Sequence, residues 1–355
     1  MTINLYITST QSFSGKSALC VALMHRLRKD GYRVGYLKPF SSAARVLAES
    51  SIDEDARFVK ETFNLSEPLE ILAPVVITNQ RVQNLLADGG VDYRDAVKRA
   101  AEVVSHDKDV VLMEGSDSFR EGYIVNLSLN EVANLVDAKV ITIIGYKNSL
   151  QVVDDILTAI DRLQERLFGV IINTVPESRL AYIHELVIPY AQKRGANLLA
   201  VLPYQETLHS ISIGDINQAL GGELRCATCE EDLVENLTVA AMNVEQAFKH
   251  FREIKNKAVI VGGDRPDIQL AALETSTKAL IFTGHACPNP MIEAKAVELG
   301  VAIILSPHDT LTTVEKVDRF FGKTRFHQAE KVTRFELLLN NTMDFAEFYR
   351  KLGLR

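Results

Sequence analysis

Residues 9–17 read Ser-Thr-Gln-Ser-Phe-Ser-Gly-Lys-Ser and stand between two segments of opposite period. Ahead of them, residues 3–8 are short, β-branched and aromatic, the pattern of a buried first strand. Behind them, residues 18–28 are apolar at helical spacing, with basic residues in the last turn, where the helix dipole favours them. A strand, a tight loop ending in Gly-Lys-Ser and a helix together form the context that a phosphate-binding loop requires. The backbone amides of Ser12, Ser14 and Gly15 and the helix N-terminus would face the phosphates. Lys16 would bring its ammonium to the β/γ end, and Ser17 would offer its hydroxyl to Mg²⁺. The spacing is irregular, because the glycine usual five residues before Gly15 is Thr10 here. A serine-rich turn that merely opens a helix would also read this way, but the flanking elements favour the nucleotide loop.

Such a loop commits the chain to an α/β fold with parallel strands, and the pattern downstream agrees. Residues 32–39 read as a second strand ending in Lys38-Pro39. A lysine there lies at the crevice where parallel sheets bind ligands, although a lone strand-end lysine is commonly just solvated. Residues 51–63 are helical in period and acidic at the start, which suits the helix dipole and equally suits a second ligand for Mg²⁺. Residues 64–91 read as a loop-rich insertion with one short helix, and residues 92–105 as an amphipathic helix. Val110–Met113 is continuously apolar, as in a central strand buried on both faces, and Glu114 stands at its tip, where a carboxylate can hold a metal. Further strands over 139–145, 167–173 and 197–202 alternate with helices, giving a doubly wound parallel sheet of P-loop NTPase type. Their tips carry Lys147, Asn173 and Pro203, where a base could be held.

The domains expected are 1–208, a connector over 209–243, and a second, smaller α/β domain over 244–355. In that domain three strand–polar loop–helix units place Gly263, Asp264, Arg265, Thr283 and Gly284 along one sheet edge, a candidate ligand or partner site. His285 and His308 on those loops read as surface histidines rather than ligands. Cys226 and Cys229 form one CxxC without a second pair, so a turn with two small residues is favoured over zinc or redox chemistry.

At 355 residues and net charge −7, the chain has room for two cores and no bias toward nucleic acid or an anionic membrane. No apolar run approaches the ~20 residues of a membrane span. The sequence runs straight into its first strand, so the cytoplasm is expected.

The N-terminal half resembles dethiobiotin synthetase and, more closely, the dethiobiotin-synthetase-like N-terminal domain of long bacterial phosphate acetyltransferases. The residues that carry the resemblance are the Ser-Thr-x-x-x-x-Gly-Lys-Ser loop, residues 36–39, Asp55, residues 111–115, residues 169–173 and residues 202–203. The second half resembles the DRTGG domain, whose motif survives as residues 262–265. The resemblance implies ATP and Mg²⁺ held by Lys16, Lys38, Ser17, Asp55 and Glu114, with Asn173 near the adenine. It also implies a homodimer. Two departures bear on activity. Residues 116–118, Ser-Asp-Ser, replace the small residues that let the substrate of a synthetase approach. The sequence also stops just after the DRTGG-like part, so phosphate acetyltransferase activity is not expected from this chain alone. The reading that follows is an ATP·Mg²⁺-dependent regulator whose second domain senses a ligand, with slow hydrolysis or none. The alternatives are an ATP-dependent ligase acting on a small amine or carboxylate, and a structural partner whose loop is a relic.

Overall fold

The computed structural model describes residues 2–42, 45–47, 50–87, 91–116, 118–225, 230–284, 286–318 and 328–354. Cys226, Cys229, His285 and Asp117 lie outside the described residues. Two compact units form, one from Met1–Tyr204 with Ala329–Arg355, the other from Gln205–Gln328.

The first unit holds a six-stranded parallel sheet of β1 (Ile3–Ser9), β2 (Val34–Leu37), β3 (Val110–Glu114), β4 (Lys139–Gly145), β5 (Leu167–Val175) and β6 (Leu198–Pro203). Their order is β2-β3-β1-β4-β5-β6, all neighbours parallel. The chain fills one side of β1 with β2 and β3 and then crosses to the other with β4, the reversal at which open α/β sheets bind ligands. Register aligns Ile7 with Glu114 and Ser9 with Ile143, so the tips of β1, β3 and β4 share one edge. β3 is buried along its whole length, as its unbroken apolar run requires.

Helix α1 (Lys16–Lys29) is apolar nearly all round, with nine buried residues. Such a helix needs a cover on both sides. The sheet supplies one. The other is α10 (Ala329–Thr342), whose Phe335 and Leu339 are buried. After it, α11 (Phe345–Leu352) sets Phe348 edge-on to Phe168 of β5 at 5.6 Å, and the Tyr349 hydroxyl donates to Asp30 at 2.7 Å. Arg26 of α1 lies 4.3 Å from the Phe345 ring centroid, a cation–π contact.

The second unit holds a five-stranded sheet in the order β7-β11-β10-β9-β8: β7 (Glu223–Arg225), β8 (Asn236–Val239), β9 (Lys257–Val261), β10 (Thr277–Phe282) and β11 (Ala302–Leu305). All pairings are parallel except β7 with β11. Strand period two divides the side chains between two cores. Val259, Leu280, Phe282 and Ile303 pack against α6 (Val244–Glu253), α7 (Pro266–Leu273) and α8 (Pro290–Leu299). Ala258, Ile260, Ile281 and Ile304 pack with Ile213, Ile216 and Leu220 of α5 (Ile213–Leu220) and with Val317 of α9 (Thr310–Asp318). Lys257 is fully buried at the start of β9, its ammonium donating to Thr275 Oγ1 at 2.9 Å, Ser276 O at 3.0 Å and Ile254 O at 3.2 Å. Burial lowers its pKa to about 8.

This division differs from the expected 1–208, 209–243 and 244–355. Residues 209–243 supply an apolar layer and two strands of the five-stranded sheet to the second unit, and residues from Ala329 onward complete the first. The expected insertion over 64–91 holds two short helices, Leu69–Leu72 and Asn79–Ala87, rather than one.

Candidate functional site: a phosphate loop beside a buried charge cluster

The loop after β1 turns on two left-handed residues, Phe13 at φ 56° and Gly15 at φ 101°. Thr10 is not among them, so the backbone asks for no glycine there, which accounts for the irregular spacing. Gly15 is constrained twice over. Besides its φ, a Cβ on it would lie 2.6 Å from Asn173 Nδ2. Asn173, at the tip of β5, donates from Nδ2 to Ser14 O at 2.9 Å. Gln11 reaches across to β4, donating to Gly145 O at 2.7 Å, and the Ser9 hydroxyl donates to Gln11 O at 2.8 Å. Three neighbouring strand tips thus tie the loop down. Lys16 is 6% exposed and donates to Ser9 Oγ at 3.0 Å. The Ser14 hydroxyl is buried with no hydrogen-bond partner among the described residues, an orphan that a bound anion would satisfy.

Next to the loop lies a cluster of opposite charge. Ser17 donates to Glu114 Oε1 at 2.6 Å, and the buried Tyr36 hydroxyl donates to Glu114 Oε2 at 2.8 Å. Gly115 follows because its amide donates to Ile7 O at 2.8 Å, and a Cβ would come within 2.9 Å of that oxygen. Lys38 Nζ sits among three carboxylates: Asp55 at 2.6 Å, Asp53 at 3.0 Å and Glu114 at 3.8 Å. The segment carrying it is braced by the residues before the Asn79–Ala87 helix, Lys38 N donating to Leu72 O at 2.7 Å and Ser41 N to Val75 O at 2.9 Å. Burial alone would depress the Lys38 ammonium, but Glu114, Asp55 and Asp53 outweigh it and hold its pKa well above the ordinary lysine value. Burial pushes the Glu114 carboxyl up, with Lys38 opposing and Asp55 adding. Tyr36 is raised by burial and then by Glu114, so it stays a donor.

Oxygen donors from Ser17, Glu114 and Asp55 converge here, the hard set that suits Mg²⁺. Among the described residues, however, no group of three His, Cys, Asp or Glu side chains is arranged to hold a metal unaided. The two facts agree, because Mg²⁺ is ordinarily held by one or two carboxylates together with substrate phosphates.

The residues expected at the loop therefore come together: Ser14, Gly15, Lys16, Ser17, Lys38, Asp55 and Glu114. Ser12 is exposed on the loop. Asn173 is committed to holding Ser14, and its Oδ1 accepts from Thr174 N at 2.8 Å. Pro203 ends the adjacent strand, paired with Val175, and Lys147 is exposed. Just beyond the departure at 116–118, Phe119 is buried and its carbonyl accepts from Arg162 at 3.2 Å. In the second unit, Gly263, Asp264, Arg265, Thr283 and Gly284 do lie at the carboxyl ends of β9 and β10. There Gly284 N donates to His308 O at 2.7 Å, Thr283 Oγ1 lies 3.1 Å from Thr310 Oγ1, and Arg265 pairs with Asp267 at 3.4 Å. Sequence reasoning missed Asp53, Ser41 and the role of Tyr36. Asp53 precedes a helix and caps it, so a cap was the only signal it gave.

A family model described as an AAA domain matches residues 3–212, and one described as a DRTGG domain matches residues 215–320. Phosphate acetyltransferase of Synechocystis sp. is 26% identical over 308 residues, 82% of this chain and 43% of that protein. ATP-dependent dethiobiotin synthetase BioD of Aromatoleum aromaticum is 26% identical over 204 residues, 56% of this chain and 89% of that one. Among solved structures, the MinD cell division protein of Aquifex aeolicus aligns with a TM-score of 0.37 and 15% identity, over 58% of this chain and 84% of its own. The chain spans about half the length of the phosphate acetyltransferases it matches, in their N-terminal part. Among the described residues, no helix is long and apolar enough to cross a membrane.

Proposed function

The chain belongs to the AAA-domain family through its P-loop, dethiobiotin-synthetase-like residues 3–212, and on that premise we propose that it binds ATP with Mg²⁺ and acts as a nucleotide-dependent regulator. The observation that carries the reading is the phosphate loop itself, with its orphaned Ser14 hydroxyl, its inward Lys16 and the Ser17–Glu114 contact of 2.6 Å. In this reading the loop amides and Lys16 bind the phosphates, Lys38 faces the terminal one, and Ser17, Asp55 and Glu114 hold the metal. Magnesium, when bound, supplies charge neutralisation of the phosphates. Asn173 acts by fixing the loop, with Pro203 beside the base. The DRTGG unit offers its edge of Gly263, Asp264, Arg265, Thr283 and Gly284 to a small ligand or partner. A cytoplasmic homodimer completes the proposal. The phosphate acetyltransferase activity named for the longer relatives is not part of it.

Calorimetric titration of ATP·Mg²⁺ tests the reading, with Lys16→Ala as control. Binding by wild type that the variant loses is expected; equal absence of heat from both would overturn it. Similarity to a dethiobiotin synthetase over 89% of its length favours one second reading, an ATP-dependent ligase acting on a small amine or carboxylate. There Lys16 and Lys38 would stabilise charge on the transferred phosphoryl group. Phosphate release that rises on adding a diamino carboxylic acid would favour the ligase over the regulator.

A further inference from the structure

The three carboxylates around Lys38 are not equivalent. Asp53 is 3% exposed and caps helix α2 (Glu54–Phe63), its Oδ1 accepting from Ala56 N at 2.8 Å. Its Oδ2 accepts from the Ser41 hydroxyl and lies 3.0 Å from Lys38 Nζ. Asp55, in the first turn of that helix, leaves 23% of its side chain in solvent. Glu114 already presents Oε1 to Ser17, the residue next to the phosphate-gripping lysine.

We infer that Asp53 is a positioning residue, the fixed counter-charge that keeps the Lys38 ammonium in the site while Asp55 and Glu114 serve the divalent cation. The inference rests on the nucleotide reading above. A cation arriving with the phosphates competes with Lys38 for carboxylate oxygen, since both are hard positive charges seeking the same lone pairs. Asp55, partly solvated, can turn to it, and Glu114, held by Tyr36 with Oε1 toward Ser17 and 3.8 Å from Lys38, meets it in place. Asp53 cannot turn. Both of its oxygens are engaged, and its backbone is set by the cap. Without Asp53, a lysine released by the other two would lose its remaining counter-charge and swing from the phosphates.

The substitution Asp53→Asn tests this role, because Asn caps a helix about as well as Asp, its one amide oxygen keeping Ala56 N, while the oxygen facing Lys38 becomes an uncharged amide group that the Ser41 hydroxyl can accept from. ATP is titrated calorimetrically against wild type, D53N and Asp55→Asn, each with Mg²⁺ and with EDTA. D53N is expected to weaken ATP binding by about tenfold or more with Mg²⁺, the size of one hydrogen bond to a charged group, and by much less with EDTA, where Asp55 and Glu114 still face Lys38. D55N is expected to weaken it only with Mg²⁺. Unchanged affinity in D53N with Mg²⁺ would overturn the inference alone, as would a loss equally large with EDTA, where Asp55 and Glu114 still hold Lys38. Wild type that takes up no ATP would overturn the nucleotide reading and this one together. Comparing Lys38→Met with the double variant that also carries D53N gives a second test, one that needs no D53N protein on its own. With Lys38 gone, D53N should add no further loss. An equal additional loss would refute the assignment.

Discussion

Replacing Lys38 with Met removes the positive charge shared by Asp53, Asp55 and Glu114 and leaves the carboxylates facing one another. Lys38 is 5% exposed and Glu114 1%, so water cannot stand in for the ammonium. Breaking a buried ion pair by deleting one partner costs about 3–5 kcal/mol. Asp55 retains solvent, which relieves part of the repulsion and places the expected cost near the lower figure, about 3 kcal/mol. In a unit of this size that lowers the melting temperature by about 6–12 °C. The pH dependence gives a sharper signature. Burial already raises the Glu114 carboxyl, and loss of Lys38 removes the charge that opposes the rise. A carboxyl whose folded pKa is raised favours the fold fully below its unfolded value and loses that contribution as pH climbs through the folded value. The deficit of K38M relative to wild type should therefore be largest near neutral pH and shrink toward about pH 5. Scanning calorimetry of both proteins at the two pH values measures it. A variant that melts within about 1 °C of wild type at both pH values, or whose deficit grows on acidification, would refute the electrostatic account.

Two further outcomes follow from parts of the fold remote from the loop. Phe348→Ala should destabilise the first unit by about 3–5 kcal/mol, because the ring is 1% exposed and packed edge-on against Phe168. Hydrogen exchange should then accelerate in α1 rather than in residues 205–328. In the second unit, the Lys257 ammonium is depressed to about 8, so between that value and its unfolded value near 10.5 the unfolded chain binds more protons. Stability contributed by this group should thus rise with pH across that window and fall away as pH drops through about 8. Lys257→Met should flatten that slope, as read from denaturant midpoints between pH 7 and 10.

The parallel sheet and its loop were legible because both depend on local pattern: an unbroken apolar run for a strand buried on two faces, and Gly-Lys-Ser between strand and helix. Glu114 was legible for the same reason, standing where such a run stops. The charge cluster was half legible. Asp53 and Asp55 both suit a helix start, and only the fold separates a cap that grips Lys38 from a carboxylate left partly in solvent. Asn173 was placed at the correct strand tip, but whether its amide faces a ligand or a loop carbonyl depends on a contact across 159 residues. The division into units was least legible. The apolar faces of residues 329–352 announce burial but not the surface that receives them, and β7 is three residues long, too short to carry a period.

That return has a practical corollary. Residues 1–204 and 329–354 interlock through aromatic rings, an arginine and a tyrosine hydroxyl, and α10 also lies against β6, from which the chain departs. A single protease nick anywhere in the intervening module would leave two polypeptides still clasped around α1. Such a severed protein should copurify as one particle under native conditions and come apart only in denaturant.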